Sequence, residues 1–422
     1  MANGNLHIGM RPVWGGAHEF GISAADRRRH LYVIGQTGTG KSTLLRNLIA
    51  QDIAGGEGLA LIDPHGDLAL EVLDLVPPHR IDDVIFLDPS DLEHVIGFNP
   101  FYRVQPDDQP LIAANTVAAF RHVWADSWGP RLEYILYNAV AAILGAPDAT
   151  RPSFLSIPRL LVEREFRERV LAGVSDTRVQ SFFHQEFDRW GERQMAEALS
   201  SVQNKIGQVI SNPAVRNVIS QWRPSLDLSV VMRKRQILIV RLPKGNLGAD
   251  PANLLGSPLV TGLLQAAMRR DTTTDRTAFH LYIDEFQNFT TEAFASILSE
   301  ARKYALTLTI GHQYLSQLLP SVRDAVLGNV GNIISFRVGA DDAEVMAREC
   351  GDFYEEVFRD LMRGQVIARL TQETAVTQAF RGLVQDQGQS FGTREKVLAK
   401  SRRSYAAPRA EVEGNIAKWL RS

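Results

Sequence analysis

Residues 35–42 read Gly-Gln-Thr-Gly-Thr-Gly-Lys-Ser, a Gly-x4-Gly-Lys-Ser loop without a gap. Apolar Leu31–Ile34 precede it, and a helical run with Leu44, Leu45, Leu48 and Ile49 on one face follows. A strand must end where the glycines begin, and a helix must start at once, so that backbone N–H groups and a helix N-terminus face one anion. The pattern is that of a phosphate loop. It predicts a nucleotide held by Gly35, Thr37, Gly38, Thr39, Gly40, Lys41, Ser42 and Thr43. Lys41 is expected on the β- and γ-phosphates and Ser42 on Mg²⁺, with ATP as the nucleotide.

The rest of the chain has to supply a parallel sheet. Leu59–Ile62 and Val84–Leu87 read as buried strands. The rhythm then turns helical from about 105 to 228, with stripes through Ala113, Val117, Phe120 and Trp124, and through Leu132, Ile135, Leu136 and Ile143. A third stripe runs through Met195, Leu199, Val202, Ile206 and Val209 and stops at Asn212-Pro213. Strands resume at Ile237–Val240, Phe279–Ile283, Leu306–Ile310, Ile333–Val338 and Gln365–Leu370, with a helix near 253–270. The expectation is an α/β fold: a RecA-like P-loop NTPase domain with a central, mostly parallel sheet that carries an inserted all-α domain. Residues 1–24 form a lead-in, 25–104 and 229–400 the nucleotide-binding domain, 105–228 the all-α domain and 401–422 a tail.

Hydrolysis, as opposed to binding, needs a second acidic site. Phe279-His-Leu-Tyr-Ile-Asp-Glu285 is an apolar strand ending in two carboxylates. Asp284 fits a Walker B ligand to Mg²⁺. Glu285 beside it can orient and deprotonate a water. Asp63, in Leu61-Ile-Asp-Pro-His-Gly-Asp67, also ends an apolar strand but lacks an adjoining glutamate, so it competes only weakly. Gln313 follows strand Leu306–Ile310, at the end where parallel sheets hold ligands, and is placed to sense a γ-phosphate. Arg302 precedes the same strand and reads equally as a finger for a neighbouring subunit's nucleotide or as an exposed cation.

Composition narrows the partners. Forty-six basic and 48 acidic side chains give a formal charge of −2, without the basic surplus of a protein that coats duplex DNA. A nucleic-acid surface would have to be local, with Arg233-Lys-Arg235, Lys244 and Arg269-Arg270 as candidate phosphate contacts. The one cysteine, Cys350, excludes an intrachain disulfide and a cysteine-built metal site. No apolar run is long enough to span a bilayer and residues 1–14 have no apolar signal core, so a cytoplasmic protein is expected, held at a membrane only through a partner.

Taken in order, GQTGTGKSTLL, LIDPHGDL, LYIDEFQNF and ARKYALTLTIGHQYLSQL resemble the HerA/FtsK superfamily of hexameric DNA-pumping ATPases, and within it the TraG/TraD-like coupling proteins of type IV secretion and conjugation. The resemblance covers roughly residues 20–410. It implies Walker A roles for Lys41 and Ser42, Walker B roles for Asp284 and Glu285, γ-phosphate sensing by Gln313 and a trans finger at Arg302. It also implies a homo-hexamer with DNA in a central channel, and a relaxase, nuclease or secretion channel as partner. The chain departs from the membrane coupling proteins in lacking transmembrane helices, and from HerA helicases in lacking a long N-terminal barrel. A HerA-like ATPase serving a nuclease, a motor for protein cargo and an ATP-gated assembly module therefore stay open beside a DNA translocase.

Overall fold

The computed structural model describes residues 5–270, 277–373, 375–386 and 389–422. They form two compact units, the first comprising 1–87, 228–242 and 263–404, the second 88–227, 243–262 and 405–422.

The first unit is built on one sheet. Its strands and the short ones elsewhere are, in chain order, β1 (Leu6–Val13), β2 (Gly16–Ile22), β3 (Leu31–Ile34), β4 (Gly58–Asp63), β5 (Val84–Leu87), β6 (His94–Ile96), β7 (Ile237–Arg241), β8 (Phe279–Ile283), β9 (Leu306–His312), β10 (Asn332–Ser335), β11 (Gln365–Arg369), β12 (Thr371–Gln372), β13 (Ala375–Val376), β14 (Phe380–Leu383) and β15 (Ala406–Pro408). Eleven strands share the main sheet in the order β2-β1-β14-β11-β10-β3-β9-β8-β4-β7-β5. From β10 to β5 every pairing is parallel, whereas β11, β14, β1 and β2 extend one side antiparallel. Every residue of β3, β4, β5, β8, β9 and β10 is buried, as expected of parallel strands covered on both faces. Helix α1 (Lys41–Ala54) lays Leu44, Leu45, Leu48, Ile49 and Ile53 into that core, and all five are fully buried.

Parallel strands require long crossovers, and the sequence provides them wherever the apolar period switches from 2 to 3.6. The RecA-like expectation holds. The N-terminal lead-in is more than that: β1 and β2 form a hairpin that completes the antiparallel side of the sheet. Strand Ile333–Val338 is shorter than read, because Phe336 N donates to Ile34 O (2.8 Å) and Arg337 O accepts from Gln36 N (2.8 Å), which turns the chain toward the phosphate loop.

The second unit is mostly helical. Its main helices are Gln109–Val123, Pro130–Leu144, Ser156–Val162, Arg164–Leu171, Glu192–Ser211, Pro213–Ile219 and Arg409–Leu420. Ile135, Leu136, Ala139, Val140 and Ile143 are buried with Val202, Ile206 and Val209, as their spacing requires. It begins at 88 rather than 105 and takes in 243–262 and 405–422; β6 pairs antiparallel with β15, which ties 94–96 to 406–408 as a two-stranded ribbon. Among the described residues no helix is long and apolar enough to cross a membrane.

Candidate nucleotide site

The phosphate loop leaves β3 and enters α1 at the carboxyl end of the parallel strands. Three neighbours fix its backbone. Gly35 N donates to His312 O (3.3 Å), Gln36 N to Arg337 O (2.8 Å), and Thr39 O accepts from Gly364 N (2.9 Å). Two glycines are required by geometry. Gly40 has φ +122°, open only to glycine, and a Cβ there would come within 2.9 Å of the Phe336 ring. A Cβ on Gly35 would stand 2.5 Å from Phe336 Cβ. The outer part of the loop, Gln36 to Gly38, is exposed, as is Ser42 in the first turn of α1. Lys41 by contrast is buried, its ammonium donating to Gly35 O (2.5 Å) and Gln36 O (3.3 Å). Burial lowers its pKa, and the charges of Glu285 and Asp284 pull it back up.

The two carboxylates predicted from LYIDE stand opposite this lysine. Asp284 is buried, and Glu285 N donates to its Oδ1 (3.0 Å). Burial, with the nearby charges of Glu285 and Asp63, pushes its pKa up to about 7, although Lys41 works against the rise. Glu285 is also buried and adopts a left-handed backbone (φ +47°), a conformation that costs a residue with a side chain of order 1 kcal/mol or more. That turn swings the chain back, so that Asn288 Nδ2 donates to Glu285 O (2.7 Å). Its carboxylate accepts from Gln287 Nε2 (2.8 Å) and from Gln313 Nε2 (2.9 Å). The amide predicted to sense the γ-phosphate is thus tied directly to the carboxylate predicted to orient water.

Asp63 lies in the same cluster, but its oxygens are committed: Oδ1 accepts from His65 N (2.9 Å) and Oδ2 from Ala69 N (2.8 Å). It anchors the start of helix α2 (Asp67–Leu73). Sequence reasoning missed several contributors. His312, just before Gln313, is fully buried between Tyr32, whose hydroxyl lies 3.1 Å from Nδ1, and the Phe286 ring. Burial and the Lys41 charge hold it neutral, down to about 3, and its Nε2 finds no hydrogen-bond partner among the described residues. Arg241 ends β7 beside Asp63 and donates from Nε to Gly66 O (3.2 Å). Both sit at carboxyl ends of parallel strands, the one signal that could have singled them out.

Arg302 is placed elsewhere. It is exposed in the short turn before β9, so seven residues of strand separate it from Gln313, roughly 20 Å of sheet. It does not reach the site of its own chain. Two of the candidate DNA contacts are also spent on the protein: Arg235 pairs with Glu57 (2.8 Å), and Arg270 donates to Thr277 O (2.7 Å) and Tyr304 O (2.5 Å).

A strand–loop–helix phosphate cradle facing an Asp-Glu strand end, with an amide on the neighbouring strand, defines a RecA-like P-loop NTPase. Residues 19–111 match the family model described as the central domain of the helicase HerA. No curated protein sequence matches the chain. Among solved structures it is similar to the bacterial conjugative coupling protein TrwB, with a TM-score of 0.64 and 17% identity over 88% of each chain. TrwB with ADP and Mg²⁺ gives 0.63 and 16%, again over 88% of each chain. VirB4 of Thermoanaerobacter pseudethanolicus gives 0.63 and 14%, covering 90% of this chain and 96% of that one. The RecA-like fold expected from the four motifs holds over nearly the whole chain.

Proposed function

We propose that this chain hydrolyses Mg-ATP and uses the turnover to move DNA. The observation that carries hydrolysis is the bonded pair Glu285–Gln313 next to Asp284 and facing Lys41. Two buried carboxylates, Asp284 and Glu285, stand against the one ammonium of Lys41, an arrangement that a divalent cation would complement. The donor set therefore fits Mg²⁺, held by Ser42 and Asp284. When bound, Mg²⁺ would neutralise phosphate charge. Lys41 binds the β- and γ-phosphates, and the loop N–H groups from Gly35 to Thr43 orient them. Glu285 positions the attacking water and takes its proton. Gln313 holds Glu285 in place and reports on the γ-phosphate. His312, kept neutral, adds no charge beside Lys41.

DNA as the substrate is supported by the fold shared with TrwB, a conjugative coupling protein. A homo-oligomer, hexameric by the resemblance, would give exposed Arg302 a role: out of reach of its own loop, it could serve as a finger only on a neighbour's nucleotide. Turnover by size-fractionated protein, with and without single- or double-stranded DNA, tests the proposal. The expected result is DNA-stimulated hydrolysis confined to the oligomer, with a fall of about 10²-fold or more in Glu285→Gln that leaves ATP binding in place. Turnover indifferent to DNA, together with no DNA retention at low salt, would overturn the DNA reading. Stimulation by a partner protein alone would point to a protein cargo.

A further inference from the structure

The helical unit contains a cavity of about 510 Å³, within the range of small-ligand sites. Its walls come from the loop before helix Ser156–Val162, from residues 220–223 and from helix Arg409–Leu420, all within that unit. Three cations line it, Arg151, Arg223 and Lys418, against one acid, Glu411. In a chain with 46 basic and 48 acidic side chains this is a local excess of positive charge. None of the three makes an ion pair among the described residues; Arg223 only lies over the Trp222 ring, 4.5 Å from its centroid. Trp222 itself lines the cavity and is half-buried. Ser220, more than nine-tenths buried, lines it too, and its hydroxyl has no hydrogen-bond partner among the described residues. A buried hydroxyl left without a partner is uncommon and marks a place where a polar group is missing. Arg151 reaches its position through a left-handed backbone, φ +52°.

We infer that this cavity binds a nucleotide, its base stacked at Trp222, its phosphate met by Arg151, Arg223 and Lys418, and its sugar or base edge bonded to the Ser220 hydroxyl. A flat aromatic ring stacks well on an indole backed by a guanidinium, and three exposed cations without an ion pair among the described residues favour an anion. The same chemistry is offered by a free mononucleotide and by one residue of a single strand of nucleic acid. The inference stands apart from ATP hydrolysis at the phosphate loop, which none of these side chains touches.

The test uses the full chain and two probes: a fluorescein-labelled oligothymidylate dodecamer followed by anisotropy, and adenosine monophosphate followed by calorimetry. Trp222→Leu and the double variant Arg151→Ala/Lys418→Ala are each expected to weaken the bound probe about tenfold or more. Loss confined to the dodecamer identifies single-stranded nucleic acid as the ligand, and loss confined to adenosine monophosphate identifies the free nucleotide. Lys418→Glu, a change on an exposed side chain, should weaken the same probe with no effect on folding. Basal ATP turnover is expected to stay at the wild-type level throughout, so failure here is separable from failure at the phosphate loop. Wild-type affinities retained for both probes in Lys418→Glu and Trp222→Leu, or no binding of either probe, overturn the inference.

Discussion

The first unit holds two buried charge clusters. In one, Arg27 meets Asp52 through two bonds (2.8 and 2.7 Å), and the Tyr282 hydroxyl donates to the same carboxylate (2.5 Å). Burial works against the Arg27 charge, but Tyr282 and Asp52 outweigh it and hold the guanidinium above its ordinary range. In the other, Asp284, Glu285 and Asp63 lie near Lys41, with Arg241 beside Asp63, and Asp284 is driven up to about 7. Both clusters touch α1 and β8, one near the end of the helix and one at its start. The first is complete within the protein and reads as a brace. The second is short of positive charge and reads as a site. Burial alone does not separate structural from functional ionic groups; the balance of charge does.

Breaking the brace should have the largest effect. Asp52→Ala leaves Arg27 buried and unpaired, and thermal or denaturant unfolding should register a loss of about 3–5 kcal/mol. The unbalanced cluster should do the opposite. An aspartate raised from 3.8 to about 7 binds its proton more tightly folded than unfolded. The folded state therefore loses stability as pH rises from about 4 to about 7, by up to roughly 4 kcal/mol at 1.36 kcal/mol per unit. Asp284→Asn should flatten that slope in pH-dependent melting curves without Mg²⁺, while ATP turnover falls by about 10²-fold or more. A variant that melts like wild type across this window would show that the charges at the site are already balanced. Tyr282→Phe removes two bonds from the brace, the one its hydroxyl donates to Asp52 and the one it accepts from Arg27, and should cost about 1–2 kcal/mol in the same melting assay, with turnover near wild type. The smallest stability effect, within about 0.5 kcal/mol, is expected for Arg302→Ala. Turnover of the assembled protein should nonetheless drop in that variant while ATP binding holds. A monomer equally affected would place Arg302 in a structural role.

The candidate site residues were more legible in the sequence than their surroundings, for physical reasons. Gly35–Ser42 and the Asp284-Glu285 strand end are local patterns whose chemistry fixes their spacing, and Gln313 follows from its place after an apolar strand. His312 was passed over because a histidine flanked by glycine and glutamine carries no periodic signal; only the packing of Tyr32 and Phe286 around it gives it meaning. The β1–β2 hairpin was read as a lead-in because exposed Gly16–Glu19 show no apolar alternation, and pairing with β14 depends on residues more than 350 positions away. The boundary at 88 was missed: the β6–β15 ribbon beyond it has three-residue strands, too short to read. Arg235 and Arg270 looked free because their partners, Glu57 and two backbone carbonyls, are distant or invisible in sequence.

The order of strands in the sheet also sets a schedule. Edge strand β5, complete at residue 87, pairs only with β7, which begins at 237. Strand β3 carries the phosphate loop yet is flanked by β9 and β10, which begin at 306 and 332. A ribosome adding about 5–20 residues per second needs on the order of 15–50 s to go from the loop to its first flanking strand. Throughout that interval the glycine loop is made but has no sheet to hold it, and the helical unit, whose last pieces are 243–262 and 405–422, is incomplete as well. A nascent chain of this protein is therefore expected to hold the phosphate loop in a sheet only once its last third is being translated, and the helical unit closes later still, when β15 and helix Arg409–Leu420 emerge.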